Sequence, residues 1–240
     1  MKKIIILTCL FFISHAFGQW KSKTIKGAGP LVTKELTTNS YDGISVTASF
    51  YVSLVKGKEG KITIKTQENL LEYISIEVEN NELVIQTKKG FNFSYQKGQK
   101  IEITVPIEAI SFANLAGSGD IISFIELESQ NFKTNLVGSG DIKIMVNCET
   151  LVANLSGSGD IKLKGKVKNI ELNLSGSGDI EALDVQSENA KAIVAGSGDI
   201  EVNCTEFIEA KVSGSGEIKY KGNPKKQDTQ VAGSGSIKMI

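Results

Sequence analysis

The dominant pattern in the chain is an alternation of apolar and polar residues that passes through pairs of glycines without losing step. Ile170, Leu172, Leu174, Gly176, Gly178 and Ile180 share one side of an extended chain, while Ser175, Ser177 and Asp179 share the other. The same parity holds for Leu136, Gly138, Gly140, Ile142, Ile144 and Val146, and for Ala210, Val212, Gly214, Gly216, Ile218 and Tyr220. A period of two predicts half-buried strands, with apolar residues and glycines inward and Ser and Asp outward. Inward glycines suit places where the backbone bends sharply or approaches another backbone.

The pattern recurs. Gly-Ser-Gly begins at Gly117, Gly138, Gly157, Gly176, Gly196, Gly214 and Gly233, at intervals of 21, 19, 19, 20, 18 and 19 residues, and these motifs hold 14 of the 24 glycines. The next residue is Asp120, Asp141, Asp160, Asp179 and Asp199, then Glu217 and Ser236, and an Ile follows every time. Each unit reads as strand, glycine-pair bend, strand and short variable corner. A unit this short cannot bury its apolar edge alone, so neighbours must stack. The expected fold is all-β: a parallel β-helix or solenoid of seven Gly-Ser-Gly coils spaced about 4.8 Å apart, preceded by a β-rich N-terminal part. A competing reading makes Gly-Ser-Gly-Asp a tight turn between antiparallel strands; the regular period favours stacking.

Residues 36–112 lack the motif but are β-rich. Ile44, Val46, Ala48, Phe50, Val52 and Leu54 alternate strictly, and Ile62, Ile64, Ile74 to Val78, Leu83 to Ile85, and Ile101 to Val105 continue the theme. Asn80-Asn81 reads as a hairpin turn, and residues 67–73 are the one helix candidate. Whether residues 36–112 continue the solenoid stays open at this level. Residues 113–240 carry the repeats. Residues 19–35, rich in Lys, Thr and Gly, read as a flexible leader. Met1-Lys2-Lys3 before the apolar run from Ile4 to Ile13, with Ala16-Phe17-Gly18 behind it, has the form of a signal peptide over residues 1–18. That expectation places the protein outside the cytoplasm: in the periplasm, on the outer-membrane surface or secreted. No later run is apolar for long enough to cross a membrane as a helix.

Composition narrows the chemistry. All 27 basic residues are Lys, the 27 acids balance them, and the single His is His15, inside the expected signal peptide. The exported chain would keep 25 Lys against 27 acids and no His. Neutral charge without Arg argues against nucleic acid as a partner. Without His, the Ser-His-Asp and Cys-His mechanisms are closed, as are His metal sites. Carboxylates abound, but in repeated positions rather than in one catalytic constellation, so a polysaccharide-acting enzyme ranks below a binding or architectural role. No cofactor is implied. Cys148 and Cys204 fall about three coils, or roughly 14 Å, apart, beyond disulfide reach.

Several segments together resemble a known family. They are Tyr41-Asp42-Gly43-Ile44-Ser45-Val46, Phe50-Tyr51-Val52, Glu68-Asn69-Leu70-Leu71 and Asn81-Glu82-Leu83, ending in the Gly-Ser-Gly-Asp-Ile series. In this order they are similar to the head-GIN domain of bacterial adhesins, over residues 36–240. The resemblance implies an exported envelope protein with a β-helical fold, a binding or structural role, and no catalytic site.

Three surfaces are candidate sites. Stacked coils would place Asp120, Asp141, Asp160, Asp179 and Asp199 in a ladder, where neighbouring charges repel by roughly 1 kcal/mol even in a water-like dielectric. Ca²⁺, backbone N–H donors, or Lys and Glu pairing between coils (Lys162 with Glu181, Glu201 with Lys219) would offset this. The spacing differs from that of calcium-binding nonapeptide repeats, which favours the structural explanations. Phe91, Phe93 and Tyr95, or Trp20, could form an aromatic platform for a sugar, although same-face aromatics in a strand more often pack into a core. Ser118, Ser139, Ser158, Ser177, Ser197 and Ser215 make a flat polar row. The partner expected is a protein or glycan at a cell surface. An uncapped final coil would also permit homo-oligomers.

Overall fold

The computed structural model describes residues 22–95 and 99–240. The expected signal peptide and Trp20 lie outside the described residues. The N-terminal part holds β1 (Lys23–Lys26), β2 (Leu31–Thr37), β3 (Gly43–Thr47), β4 (Tyr51–Lys56), β5 (Lys61–Gln67), a 3-10 turn over Glu68–Tyr73, β6 (Ile74–Glu79), β7 (Glu82–Thr87), β8 (Phe91–Ser94) and β9 (Glu102–Ile107). The repeats follow as β10 (Phe112–Gly117), β11 (Asp120–Glu128), β12 (Asn131–Gly138), β13 (Asp141–Gly157), β14 (Asp160–Gly176), β15 (Ile180–Gly196), β16 (Ile200–Gly214), β17 (Glu217–Lys221), β18 (Lys226–Gly233) and β19 (Ser236–Met239).

The repeats stack in parallel, as their period predicts. Asp141 pairs with Asp160, Ile142 with Ile161 and Gly157 with Gly176 along β13 and β14. Each 17-residue strand wraps a corner and serves two faces. One face runs β3, β10, β12, the later halves of β13 to β16, and β18; the other runs β4, β11, the earlier halves of β13 to β16, β17 and β19. The inward column of Ile121, Ile142, Ile161, Ile180, Ile200 and Ile218 is wholly buried. This continuous column is what a single coil could not supply for itself.

The N-terminal part continues the same solenoid. Ile44 sits against Ala113 and Val52 against Ile121, both in parallel register. Beyond them β7 and β9 add parallel to β3 and β4. Antiparallel strands then close this end: β6 on β7, β5 on β9, and β2 on β5. Asn80 and Asn81 turn the β6–β7 hairpin with φ of 51° and 66°, the left-handed pair that a two-residue turn requires. The flexible leader expected over residues 19–35 is corrected here, because its described part carries strands. β1 pairs with β8 and β2 with the edge of β5, and Ile25 and Leu36 pack against the core. An open sheet edge and one apolar anchor in each segment order a stretch whose composition alone reads as a linker.

The glycine pairs have a steric origin. Gly176 has φ +137° and Gly178 is buried. A Cβ on Gly178 would meet the carbonyl carbon and amide nitrogen of Gly159 at 3.0 Å each and overlap the carbonyl oxygen between them. Every coil therefore excludes side chains from the bend of the next. In the first coil, with no such bend behind it, Ala48 and Phe50 hold the equivalent places, and the Phe50 ring is fully buried.

Candidate binding faces

The corner beside the glycine bends carries the Ser and Asp rows. All six serines of the row are exposed, and the Asp side chains lie half-buried apart from the exposed Asp179. The carboxylates are used between coils. Asp160 accepts the Asp179 N–H at 3.2 Å, Asp179 the Asp199 N–H at 2.9 Å, and Asp199 the Glu217 N–H at 2.8 Å. Lys162 reaches Glu181 at 2.7 Å and Lys219 reaches Glu201 at 3.7 Å, the two pairs that the register anticipates. At the first rung, burial and then the neighbouring Asp141 carboxylate raise Asp120 above the usual carboxylate range, against the pull of Lys100 and Lys143. Lys100 itself lies 3.5 Å over the Tyr51 ring. Among the described residues, no group of three or more His, Cys, Asp or Glu side chains could hold one metal ion. Asp160, Asp179 and Asp199 serve as cross-coil hydrogen-bond acceptors.

The opposite sheet face carries a second ladder that the sequence reading passed over. Asn114, Asn135, Asn154 and Asn173 stack in register and point outward, half-buried. Asn173 donates to the Oδ1 of Asn154 at 2.9 Å, Asn154 to Asn135 at 2.7 Å, Asn135 to Asn114 at 2.7 Å, and Asn114 to the Ser45 hydroxyl at 3.2 Å. Each link is worth about 1 kcal/mol. One N–H of each amide is committed to the neighbouring coil, which fixes the amide plane. The residue type repeats three positions before each of the first four Gly-Ser-Gly motifs, a signal visible in the sequence. Beside the ladder runs a row of smaller side chains: Val137, Ser156, Ser175 and Ala195. Between the two rows a furrow of about 470 Å³ follows the solenoid axis.

Phe93 and Tyr95 take the core-packing course weighed for the aromatic residues. Phe93 lies 6.1 Å from Phe50 and 6.2 Å from Tyr95, ring centre to ring centre, and Phe91 lies 4.7 Å from Tyr73. Phe93 and Tyr95 pack against the core, and burial pushes the Tyr95 phenol up to about 12. Cys148 is half-buried and Cys204 buried. Both are free thiols on strands three coils apart, and burial raises each to about 11. Such thiols are poor nucleophiles at neutral pH.

This constellation of coils, bends and hairpin is shared with known proteins. Residues 40–224 match the family described as "Putative auto-transporter adhesin, head GIN domain". The chain belongs to that family. Among solved structures, the family resemblance extends to a putative adhesin from Bacteroides fragilis, with 29% identity and a TM-score of 0.83 over 90% of this chain and all of the other. A protein from Parabacteroides distasonis described as a putative lipid binding protein has 27% identity and a TM-score of 0.76, over 91% of this chain and all of the other. A putative adhesin from Parabacteroides merdae shares the fold at 22% identity and a TM-score of 0.67, over 90% of this chain and 99% of the other. No curated protein matches the chain. Among the described residues, no helix is long and apolar enough to cross a membrane.

Proposed function

We propose that the protein is an exported, non-enzymatic module of the bacterial cell envelope that binds a surface protein or glycan through a rigid, repetitive β face. The observation that carries this reading is the Asn-ladder face. Its backbone is fixed by parallel pairing across successive coils, its amides are fixed by one another, and its furrow is flanked by small side chains that leave room for an extended ligand. A surface ordered before binding loses little entropy on contact, so shallow interactions summed along the axis suffice. Family membership and the adhesin names of its relatives support the same direction. Signal-peptide cleavage and location outside the cytoplasm are part of the proposal, as is the absence of turnover.

The test is capture on a glycan array and on isolated envelope fractions, with Ser175→Lys and Ala195→Lys placed in the furrow. Capture that is lost in the variants, with melting temperature unchanged, supports the reading. Capture of neither class by the unmodified protein would leave a purely architectural role in its place. Release of reducing ends from any arrayed glycan would overturn the non-enzymatic assignment.

A further inference from the structure

The two ends of the solenoid differ. At the first, β2 and β6 lie antiparallel on β5 and β7, and the described residues there carry no Gly-Ser-Gly corner. At the second, the seventh coil has an open edge. Among the described residues, β18 pairs only with β16, and β19 only with β17. Every residue of β18 is exposed. A terminal repeat normally turns a polar face outward. This one leaves Val231, Ile237 and Met239 in the inward columns of Val212, Ile218 and Tyr220. Val231 is 45% exposed, Met239 55% and Ile240 61%, so residues 231–240 hold three of the eight large apolar side chains that are exposed among the described residues. An open strand edge of this kind is a template for another chain.

The hydrogen-bond pattern of that edge decides which chain fits it. Along the stack, inward residues turn their backbone groups toward the following coil. The Ile161 N–H donates to the Asp179 carbonyl and the Ile180 N–H to the Asp199 carbonyl, both at 2.9 Å, and the Tyr220 carbonyl accepts the Ile240 N–H at 2.9 Å. In the seventh coil the inward residues Thr229, Val231, Ile237 and Met239 continue the columns of Ala210, Val212, Ile218 and Tyr220. Among the described residues no following coil meets their N–H and C=O groups. These positions are symmetric about Ser234: Gly233 and Gly235 lie one residue to either side of it, Val231 and Ile237 three, and Thr229 and Met239 five.

We propose that this end is the interface of a two-fold dimer, in which a second copy of the chain stacks tail to tail with Ser234 against Ser234 of the partner subunit. A two-fold axis through the corner reverses the direction of the second coil, so β18 of one copy runs antiparallel to β19 of the other. Val231 then faces Ile237 of the partner subunit, and Thr229 faces Met239 of the partner subunit, inward side chain to inward side chain. Both residues of each pair turn their backbone groups toward the partner, as a hydrogen-bonded antiparallel pair requires, and the four pairs supply about eight N–H···O bonds. At the corner Gly233 meets Gly235 of the partner subunit, so neither copy brings a Cβ to a bend that admits none between coils within the stack. The first end offers no matching corner, so head-to-tail growth is disfavoured and the assembly closes at two. The same axis exchanges the two sheet faces and sets the two Asn ladders on opposite sides of the doubled solenoid. The inference stands whatever that ladder binds.

Sedimentation equilibrium over a concentration series tests it, together with thiol cross-linking. Every protein compared carries the same N-terminal segment. The unmodified protein should pass from monomer to dimer and go no further. Val231→Lys should weaken the dimer roughly a hundred-fold, because the two-fold axis counts the substitution twice. Val231→Ile should retain the dimer. Val231 is already solvated in the single chain, so at concentrations where both proteins are monomeric the Val231→Lys protein should melt as the unmodified one does. Ser234→Cys reads the register directly. Residues directly opposite in an antiparallel pair have Cα atoms about 4.5–5.5 Å apart, within disulfide reach. With oxidised glutathione as the electron acceptor, this variant should cross-link to twice the chain mass. Ser215→Cys, one coil back in each copy and so about 14 Å from its counterpart, should not. A monomer at every concentration would overturn the proposal, as would a dimer that Val231→Lys leaves intact or that Ser234→Cys fails to cross-link. Species that keep growing with concentration would overturn it in favour of open-ended stacking.

Discussion

Gly178→Ala is the sharpest test of the stacking argument, because one methyl group should disrupt two coils. Gly178 is buried in the fourth glycine bend, and a Cβ there would overlap the carbonyl oxygen of Gly159 while lying 3.0 Å from the attached carbon and from the Gly159 nitrogen. The atoms opposing it are backbone, held on both sides by coil pairing, so no flexible side-chain end can move aside. Relieving the overlap means parting the coils locally by about an ångström, an overpacking cost of about 1–3 kcal/mol. The shift also strains the bonds that the bend sends across, from the Ser177 N–H to the Gly157 carbonyl at 2.9 Å and from the Gly178 N–H to the same oxygen at 3.2 Å. Each is worth about 1 kcal/mol. Ala gains back up to about 1 kcal/mol by restricting the unfolded chain. The net loss comes to about 2–4 kcal/mol. Urea unfolding followed by circular dichroism measures it, with Ser177→Ala, whose side chain points into solvent between the same two glycines, as the neutral control. A second, earlier transition would mean that the solenoid parts at this coil, as a one-dimensional stack can. A Gly178→Ala protein within about 0.5 kcal/mol of the original would refute the steric account of the glycine pairs.

Three further outcomes follow. Asn154→Ala removes a donor to Asn135 and an acceptor from Asn173, and should cost about 1–2 kcal/mol in the same assay. Glu217 is held down to about 2 by Lys238 first, then by Ser236 and Lys219. A depressed carboxylate stabilises the fold above its unfolded pKa and loses that contribution as pH falls through its folded value. The stability gap between the unmodified protein and Glu217→Gln should therefore be full near neutrality and shrink between about pH 5 and pH 2. Titration with Ca²⁺ should produce neither heat nor a melting shift, because Asp160, Asp179 and Asp199 already accept backbone N–H groups; a shift that Asp160→Asn abolishes would restore the cation reading.

What could be read in advance depended on repetition. Parity placed the Ile column inside, the period placed neighbouring coils in parallel, and Lys162 and Glu181 followed from counting along the register. The Asn ladder repeats just as regularly, yet Asn at an outward strand position looks like ordinary surface until its amides are seen to link. The strand at Lys23–Lys26 depends on Phe91–Ser94 and the strand at Leu31–Thr37 on an edge supplied by Lys61–Gln67, partners more than twenty residues away that local composition cannot announce. The bulge in β11, where Ser123, Phe124 and Ile125 stand opposite Ile144 alone, did leave a trace, the single 21-residue interval between Gly117 and Gly138, but spacing alone does not tell which residues are extruded.

The clash that makes glycine compulsory runs in one direction along the solenoid. Gly138 is constrained by Gly117, Gly157 by Gly138 and Gly176 by Gly157, whereas the places equivalent to these glycine pairs at the head of the series are held by Ala48 and Phe50. Each coil is therefore a template for its successor and not for its predecessor. A coil copied and inserted among the repeats arrives with its glycines already in place and fits at once. A coil copied from Gly43–Lys56 would bring Phe50 against a backbone with no room for it. The architecture can thus lengthen by duplication within the Gly-Ser-Gly series but not by repeating its first coil, which gives an apparently uniform stack a polarity of growth.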